Sequence, residues 1–387
     1  MEDVVIIGGL RTPVGRLLGK LSRLSAPRLG SIVIKELIGR YRLESLIDEV
    51  IMGNAVSAGV GQNPARQAAL MAGLPDTINA FTVNKVCASG LKAVALGAEA
   101  IMLGEADAVI AGGMESMSNA PFLLRDMRRG RKYGEAKIED SMINDGLLDC
   151  YYGEHMGELC EHTVARYNIS REDQDSFALQ SHKKAMKATD EGIFRDEIAP
   201  VEIDGEIIDI DETIRRDTTL KKLSGLDPVF KKGGTITAGN SPGLNDGAAA
   251  LVLMSRTKAD RLKIKPVAEI IGFASSHTDP KWFTIAPVSS VNALLKKTGM
   301  KVNDFDLIEE NEAFAAQTLA VIKELSIDPL KLNVHGGAIA LGHPIGASGA
   351  RILVTLINAL QQRGGGKGLA TICLGGGGAM SMAVRTI

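Results

Sequence analysis

The chain has 387 residues, of which 45% are hydrophobic, and its formal net charge at pH 7 is −2. A chain of this length exceeds the usual size of one domain, so two or more core units are expected. The charge is balanced and contains no block of one sign, which excludes the footprint of a nucleic-acid-binding or anionic-membrane-binding protein.

The cysteines and the N-terminus indicate the compartment. Cys87, Cys150, Cys160 and Cys373 include no C-x-x-C pair, so neither a zinc site nor a disulfide scaffold is expected. The chain opens on a strand-like run rather than a signal peptide, and we find no continuously apolar window of about twenty residues. We therefore expect a cytoplasmic protein without a transmembrane helix.

The N-terminal elements alternate between strands and helices. VVIIGG at 4–9 predicts a buried strand, and LIDEVIMGN at 46–54 predicts a second strand that ends at a Gly-Asn turn. A strand, a turn and a helix follow in VNKVCASGLKAVALGAEAIMLG at 83–104. ADAVIAGGMESM at 106–117 then predicts a strand that ends in glycines.

The middle of the chain, residues 121–232, is rich in charged residues. RDMRRGRKYGEAK at 125–137 predicts an exposed loop. The stretch 170–188 predicts an amphipathic helix with Ser170 as N-cap and Asp173 three residues on. We interpret this region as an insertion into the first half that covers a substrate.

The C-terminal third repeats the pattern of the first. Strands are predicted at 266–275 and within 305–314, a glycine-rich turn leads into a helix at 334–360, and the strand at 368–384 again runs into glycines. Small-residue turns, Ala88–Gly90 and Ala347–Gly349, open the matching helices. This internal repeat predicts two similar α/β halves, each a sheet with helices on both faces.

Cys87 lies where a strand passes into a helix. Unpaired N–H groups and the helix dipole at such a position stabilise a thiolate, so we expect the pKa of Cys87 to lie below its usual value of about 8.5. A nucleophile and a small buried core thiol both remain open from this pattern.

Two further patches contain polar groups beside glycines. His343, between Gly342 and Pro344, is a candidate general base or oxyanion donor, whereas His335 is more typical of a core or capping residue. Cys373 ends a strand just before four glycines, whose N–H groups can bind an anionic oxygen. These glycines do not match G-x-G-x-x-G, so a dinucleotide loop is not predicted.

Asn311 and Glu312 follow the second strand of the C-terminal third. They are candidates either for a helix cap or for a functional pair. Two cysteines, one histidine and one asparagine at strand ends suggest acyl transfer through a thioester.

Several motifs together closely resemble the thiolase family along essentially the whole chain. They are GLRTPVG, GQNPARQAA, VNKVCASGLKA, AGGMESMS, YYGEHMG, TAGNSPGLNDGAAA, NEAFAAQ, GGAIALGHPIGASGARI and CLGGGG. The resemblance implies an α/β thiolase fold in which two similar βαβαβαββ halves form a five-layered α-β-α-β-α core. It implies an N-terminal half at 1–120 and 233–265, an inserted CoA-binding loop domain at 121–232, and a C-terminal half at 266–387.

The resemblance also implies the catalytic residues. Cys87 matches the nucleophile that receives an acyl group, and His343 the base that activates it. His343 then donates in an oxyanion hole shared with a water held by Asn311. Cys373 matches the residue that exchanges the α-proton of the second acetyl-CoA. The N–H groups of Cys87 and Gly375 match a second oxyanion hole.

Positions that match substrate contacts in the family lie in the inserted region and the second half. His155 and Met156 border the pantetheine chain, and Arg215 contacts the CoA nucleotide. Further matches line the pocket: Ala238, Ala313 and Phe314.

Two departures from the family pattern bear on substrate binding. Pro242 stands where a serine commonly bonds pantetheine. Phe283 stands where short-chain bacterial enzymes often carry Met.

The implied reaction is the reversible Claisen condensation of two acetyl-CoA to acetoacetyl-CoA and CoA, with CoA thioesters as substrates and neither a permanent cofactor nor a metal. A 3-ketoacyl-CoA thiolase with a broader or 2-methyl-branched acyl range is the enzymatic alternative, and a non-catalytic acyl-CoA-binding subunit is the alternative of another class. The resemblance implies a homo-oligomer, dimer or tetramer, and leaves open a partner in a metabolic complex.

Overall fold

The computed structural model describes residues 2–387, which form fourteen strands and eleven α-helices. The strands are β1 (Val4–Arg11), β2 (Gly15–Arg16), β3 (Glu49–Gly53), β4 (Asn79–Val83), β5 (Ala108–Ser116), β6 (Phe122–Leu124), β7 (Ile138–Asp140), β8 (Val201–Ile203), β9 (Glu206–Ile208), β10 (Asn245–Ser255), β11 (Ala268–His277), β12 (Leu307–Glu310), β13 (Lys367–Leu374) and β14 (Gly378–Thr386). The helices are α1 (Ala26–Tyr41), α2 (Pro64–Met71), α3 (Ser89–Leu103), α4 (Met156–Tyr167), α5 (Arg171–Asp190), α6 (Leu220–Ser224), α7 (Arg256–Leu262), α8 (Ala286–Thr298), α9 (Ala315–Leu325), α10 (Ala338–Leu341) and α11 (Ser348–Gln362).

The main strands form one hydrogen-bonded sheet in the order β12-β13-β14-β11-β1-β10-β5-β3-β4, with β2 paired to β10. The N-terminal and C-terminal parts of this sheet meet where β1 pairs with β11 at Val5–Glu269 and Ile6–Ala268. This β1–β11 ladder consists of these two residue pairs, so the N-terminal and C-terminal parts of the sheet are joined by a short contact at one edge. Parallel pairs, β3 with β4 and β5, and β12 with β13, occupy the two ends.

The apolar side chains fall into layers that match this division. One cluster lies between the two sheet parts and contains the buried faces of α3 and α11. A second cluster packs α1 and α2 against the outer face of the N-terminal part, and a third packs α8 and α9 against the outer face of the C-terminal part. The order is therefore helix, sheet, helix, sheet, helix, because each sheet face buries its apolar residues under a helix layer.

The two central helices touch through their backbones at their N-terminal ends. A Cβ on Gly90 would lie 2.8 Å from the N atom of Ala350, and one on Gly349 would lie 2.6 Å from the N atom of Leu91. Only glycine permits this approach. The contact brings the turn before α3 and the turn before α11 to one place in the molecule.

One stretch does not meet the expectation that no segment could cross a membrane. Val86–Leu103, which contains α3, is long and apolar enough by length and composition, and 56% of it is buried. Its apolar character follows from its place in the middle layer, where it contacts both sheet parts.

The inserted region contains the small hairpins β6–β7 and β8–β9 and helices α4 to α6. The predicted cap of α5 is confirmed, since the hydroxyl of Ser170 accepts from the Asp173 N–H at 3.0 Å. The predicted exposed loop at 125–137 is also confirmed and connects β6 to β7.

Candidate active site

A cavity of about 370 Å³ lies where the turns before α3 and α11 meet the inserted region. It is lined by every predicted site residue except Asn311. These are Cys87, His343, Cys373, Gly375, His155, Met156, Arg215, Ala238, Ala313, Phe314 and Phe283. Residues that are far apart in sequence therefore share one enclosed space.

The turn that presents Cys87 is held by local hydrogen bonds. Val86 has φ +48°, which is strained for a β-branched residue. The hydroxyl of Ser89 accepts from the Lys85 N–H at 2.8 Å and donates to the Val86 carbonyl at 2.6 Å, while the Val86 N–H donates to Asn84 Oδ1 at 3.0 Å. These bonds keep Cys87 at the cavity wall, two residues before α3 begins.

The expected lowering of the pKa of Cys87 is wrong for the substrate-free enzyme. Burial raises the pKa of the Cys87 thiol to about 12, and the nearby negative charge of Glu115 adds to this. Hydrogen bonds from the Gly375 and Cys87 N–H groups act in the opposite direction but are outweighed.

His343 lies on a turn whose backbone requires glycine. Gly342 has φ +97°, and a Cβ there would lie 2.7 Å from the side chain of Asn245. Asn245 in turn accepts the His343 N–H at 2.8 Å. The turn is therefore held against β10 of the other half.

The imidazole of His343 is oriented by Ser348. Its Nδ1 lies 2.5 Å from the Ser348 hydroxyl, which donates its own proton to the Pro344 carbonyl at 2.9 Å. We assign the Nδ1–H as donor to the hydroxyl, so Nε2 carries the free lone pair. Burial lowers the pKa of His343 to about 3, which keeps the ring neutral and available as a base.

Cys373 is the penultimate residue of β13 and is buried. Burial raises the pKa of its thiol, and the acidic groups of Cys87, Glu310 and Cys160 add to the shift. Two thiols that face one apolar cavity cannot both ionise at low cost, so ionisation of one cysteine raises the pKa of the other.

Asn311 and Glu312 do not cap α9, the helix that follows them in the chain, which decides one open alternative; Glu312 accepts the Ile339 N–H at 3.1 Å, in the first turn of α10. Helix α9 begins three residues later, after Phe314, without a side-chain cap. Glu312 instead accepts from Ser181 at 2.7 Å and from Asn333 at 2.9 Å. The buried side-chain amide of Asn311 makes no hydrogen bond to another protein group within residues 2–387.

The side chain of His155 makes two stabilising contacts at the cavity wall. Its Nδ1 accepts the Gly157 N–H at 3.2 Å at the start of α4, and its ring stacks on Phe230 with centroids 4.7 Å apart. A Cβ on Gly157 would lie only 2.3 Å from the Phe230 ring, so glycine is needed there.

Sequence reasoning missed several apolar lining residues and the partner of the imidazole. The missed residues are Met117, Met142, Leu147, Phe230, Ile345 and Ser348. The apolar lining residues carry no compositional signal in the sequence, whereas Ser348 lies in the small-residue turn Ala347–Gly349.

Comparison with known proteins agrees with this architecture. The family described as "Thiolase, N-terminal domain" matches residues 4–257, and "Thiolase, C-terminal domain" matches residues 264–386. A protein of Chromobacterium violaceum named acetyl-CoA acetyltransferase is 51% identical, with 99% of each chain covered. One of the same name from Cupriavidus necator is 50% identical, with 100% of each covered.

A solved structure shows the same fold over the full length. The crystal structure of the Bacillus anthracis acetyl-CoA acetyltransferase has a TM-score of 0.97 and 41% identity, and the match covers 100% of this chain and 99% of that one. The predicted thiolase fold is confirmed. The chain belongs to the thiolase family.

Proposed function

We propose that the protein is an acetyl-CoA C-acetyltransferase, which reversibly condenses two acetyl-CoA to acetoacetyl-CoA and CoA through an acyl group on Cys87. The observation that carries this proposal is the single cavity lined by Cys87, His343 and Cys373. The full-length relatives named acetyl-CoA acetyltransferase support the choice of acyl group.

In the first half-reaction, His343 Nε2 takes the proton of the Cys87 thiol. The thiolate sulfur attacks the carbonyl carbon of the first acetyl-CoA, a C–S bond forms, and the bond to CoA breaks. The leaving CoA sulfur takes this proton back from His343, so the products are acetyl-Cys87, free CoA and a neutral His343. A neutral imidazole suits this task because a protonated ring could not accept the proton.

In the second half-reaction, His343 takes the proton of the Cys373 thiol, and the resulting thiolate takes a proton from the α-carbon of the second acetyl-CoA. The enolate attacks the acetyl carbon on Cys87, a C–C bond forms, the C–S bond to Cys87 breaks, and the Cys87 sulfur takes the proton from His343. The enolate oxygen needs preorganised donors, because a thioester α-proton is too weakly acidic otherwise. His343 and a water held by Asn311 serve one oxyanion, and the N–H groups of Cys87 and Gly375 serve the other.

The test is steady-state thiolysis over a series of 3-ketoacyl-CoA chain lengths, with condensation of acetyl-CoA measured alongside. We expect the highest kcat/KM with acetoacetyl-CoA. A strong preference for substrates of six or more carbons would assign the protein to the β-oxidation class instead. If no 3-ketoacyl-CoA is cleaved in the presence of CoA, the protein is instead a non-catalytic acyl-CoA-binding subunit.

The proposal extends to a homo-oligomer, dimer or tetramer, in the cytoplasm. Strand β4 is the last strand of the sheet order, pairs only with β3 among the described strands, and exposes Phe81. An unpaired strand edge of this kind favours pairing with a second copy. Light scattering of the wild type beside Phe81→Glu tests this, and an unchanged mass in the variant would contradict pairing at β4. Cell fractionation tests the compartment.

A further inference from the structure

A single buried carboxylate connects the walls of the two halves. Glu115, near the end of β5, is fully buried, and its two oxygens accept hydrogen bonds from four donors. Oε1 accepts from Asn54 Nδ2 at 2.5 Å and from the Val56 N–H at 3.2 Å. Oε2 accepts from the Ala55 N–H at 3.1 Å and from the Gly346 N–H at 2.8 Å.

These donors belong to two segments that border the reacting groups. Ala55 and Val56 follow β3 in the N-terminal half and pack in the same apolar cluster as Cys87. Gly346 lies in the C-terminal half, between His343 and its partner Ser348.

The contact between these segments is close. A Cβ on Gly346 would lie 2.9 Å from the Ala55 N atom, the Asn54 Cα and the Met114 carbonyl oxygen. The carboxylate of Glu115 therefore lies at the junction between the wall beside Cys87 and the turn of His343.

We propose that Glu115 is a positioning residue that holds the His343 turn of the second half against the Cys87 wall of the first. By this hold it sets the geometry in which His343 takes the proton of Cys87. The inference rests on the proposed function, in which His343 is the base for Cys87. Glu115 itself touches no reacting atom and acts only through Gly346 and the segment 54–56.

The charge of Glu115 has the opposite effect on Cys87, which makes the proposal testable. Its negative charge raises the pKa of the Cys87 thiol. Burial raises the pKa of Glu115 to about 7 and the charge of Asp246, on β10, adds to this, although the backbone N–H donors favour the carboxylate. The charge of Glu115 is therefore fully present only at the upper end of the pH range of the experiment below. If charge were its only effect, Glu115→Gln would ease thiolate formation and speed alkylation of Cys87.

If Glu115 acts by holding the His343 turn in place, Glu115→Gln should instead slow the alkylation of Cys87. Both carboxylate oxygens face a backbone N–H, so an amide must direct its NH₂ group at a donor, either that of Val56 or that of Gly346. Two donors repel, and the turn or the 54–56 segment must move. The proton transfer to His343 would then lose its geometry.

The experiment measures iodoacetamide alkylation of Cys87 without substrate, from about pH 6 to about pH 9, in a Cys150→Ala background that removes an exposed thiol. We expect Glu115→Gln to slow alkylation by about tenfold or more. Glu115→Asp keeps the charge but shortens the side chain, and we expect it to slow alkylation too. Equal or faster alkylation in these variants would overturn the proposal.

The matched control is Asp246→Asn. Asp246 is also a buried acid of the N-terminal half, but it accepts from the N–H and hydroxyl of Ser118, at 3.0 and 2.6 Å, and not from the His343 turn. We expect near wild-type alkylation in this variant. If Asp246→Asn and Glu115→Gln slow alkylation equally, Glu115 contributes only to general stability and the proposal is overturned.

Failure of the proposed function gives a different pattern. Alkylation reports on Cys87 and His343 without any CoA thioester. If the wild type fails to convert acetoacetyl-CoA while the alkylation differences hold, the substrate assignment alone is wrong.

Discussion

The turns before α3 and α11 have the same design but hold different reactive groups. Each central helix begins at a serine, Ser89 or Ser348, whose hydroxyl donates to a carbonyl of the preceding turn. In the first half the serine oxygen accepts a backbone N–H, that of Lys85. In the second half it accepts from the side chain of His343. The same serine arrangement therefore stabilises a backbone turn in one half and orients a base in the other.

The two turns also differ in access to the cavity. Cys87 remains partly exposed, whereas His343 is buried with only 9% of its surface accessible. Desolvation acts on both groups and favours their neutral forms, a thiol and a neutral imidazole. In the substrate-free site, Cys87 is therefore a protonated thiol and His343 is a neutral base.

The largest expected effect comes from the first-half turn. Cys87→Ala removes the nucleophile, so turnover should fall by about 10⁴-fold or more, with no acyl-enzyme in an intact-mass assay. Cys150→Ala, which removes an exposed cysteine, is the control and should retain activity. Acyl-enzyme in Cys87→Ala would show that another group carries the acyl chain.

Cys373→Ala should separate the two half-reactions. Acetylation of Cys87 should persist, while C–C bond formation should fall by about 10³-fold because the α-proton has no acceptor. Cys160→Ala is a matched control, since Cys160 is a buried thiol in the same apolar cluster. Loss of Cys87 acetylation in Cys373→Ala would contradict the assignment of Cys373 to the second half-reaction alone.

The paired serines test the difference between the two turns directly. Ser348→Ala removes the acceptor for His343 Nδ1–H, so kcat should fall by about 10- to 100-fold with little change in the melting temperature. Ser89→Ala should instead lower the free energy of unfolding by about 1–2 kcal/mol, because a buried turn loses its bonds. A similar loss of kcat in both variants would remove the distinction.

Titration of the thiol in the first-half turn gives a further test. Because the pKa of Cys87 is raised to about 12, the thiolate fraction should grow about tenfold for each pH unit between about pH 6 and about pH 9. His343, with a pKa of about 3, stays neutral throughout this range. The alkylation rate of Cys87 in a His343→Ala, Cys150→Ala background measures this slope without the contribution of His343 as base. A plateau below about pH 8 in that background would show that the pKa of Cys87 lies well below about 12.

The smallest effect is expected where the two turns meet. Gly90→Ala places a methyl group against the backbone of α11, which should lower the free energy of unfolding by about 1–3 kcal/mol. Gly39→Ala in α1, where a Cβ meets no atom within 4 Å, is the control and should be neutral or slightly stabilising. Equal stability of the two variants would show that the helix crossing can relax.

Much of the site was predictable because its groups lie beside glycine turns that recur in both halves. Cys87, His343 and Cys373 each occupy the end of a predicted strand or the start of a predicted helix, and local pattern is enough to place them. Ser348 was visible only as part of a small-residue turn. Its bond to His343 depends on the path of the loop between them, which periodicity does not describe.

The sequence by itself determined the family, the repeated turn and the reactive residues of the cavity. Only the tertiary structure decided their protonation states and their connections. Desolvation depends on atoms packed from elsewhere in the chain, so the pKa of Cys87 rises although its helix-start position predicted a fall. Glu115 shows the same dependence, because its donors Ala55 and Gly346 lie 60 and 231 residues away in the sequence. Such contacts form only when the two halves pack together.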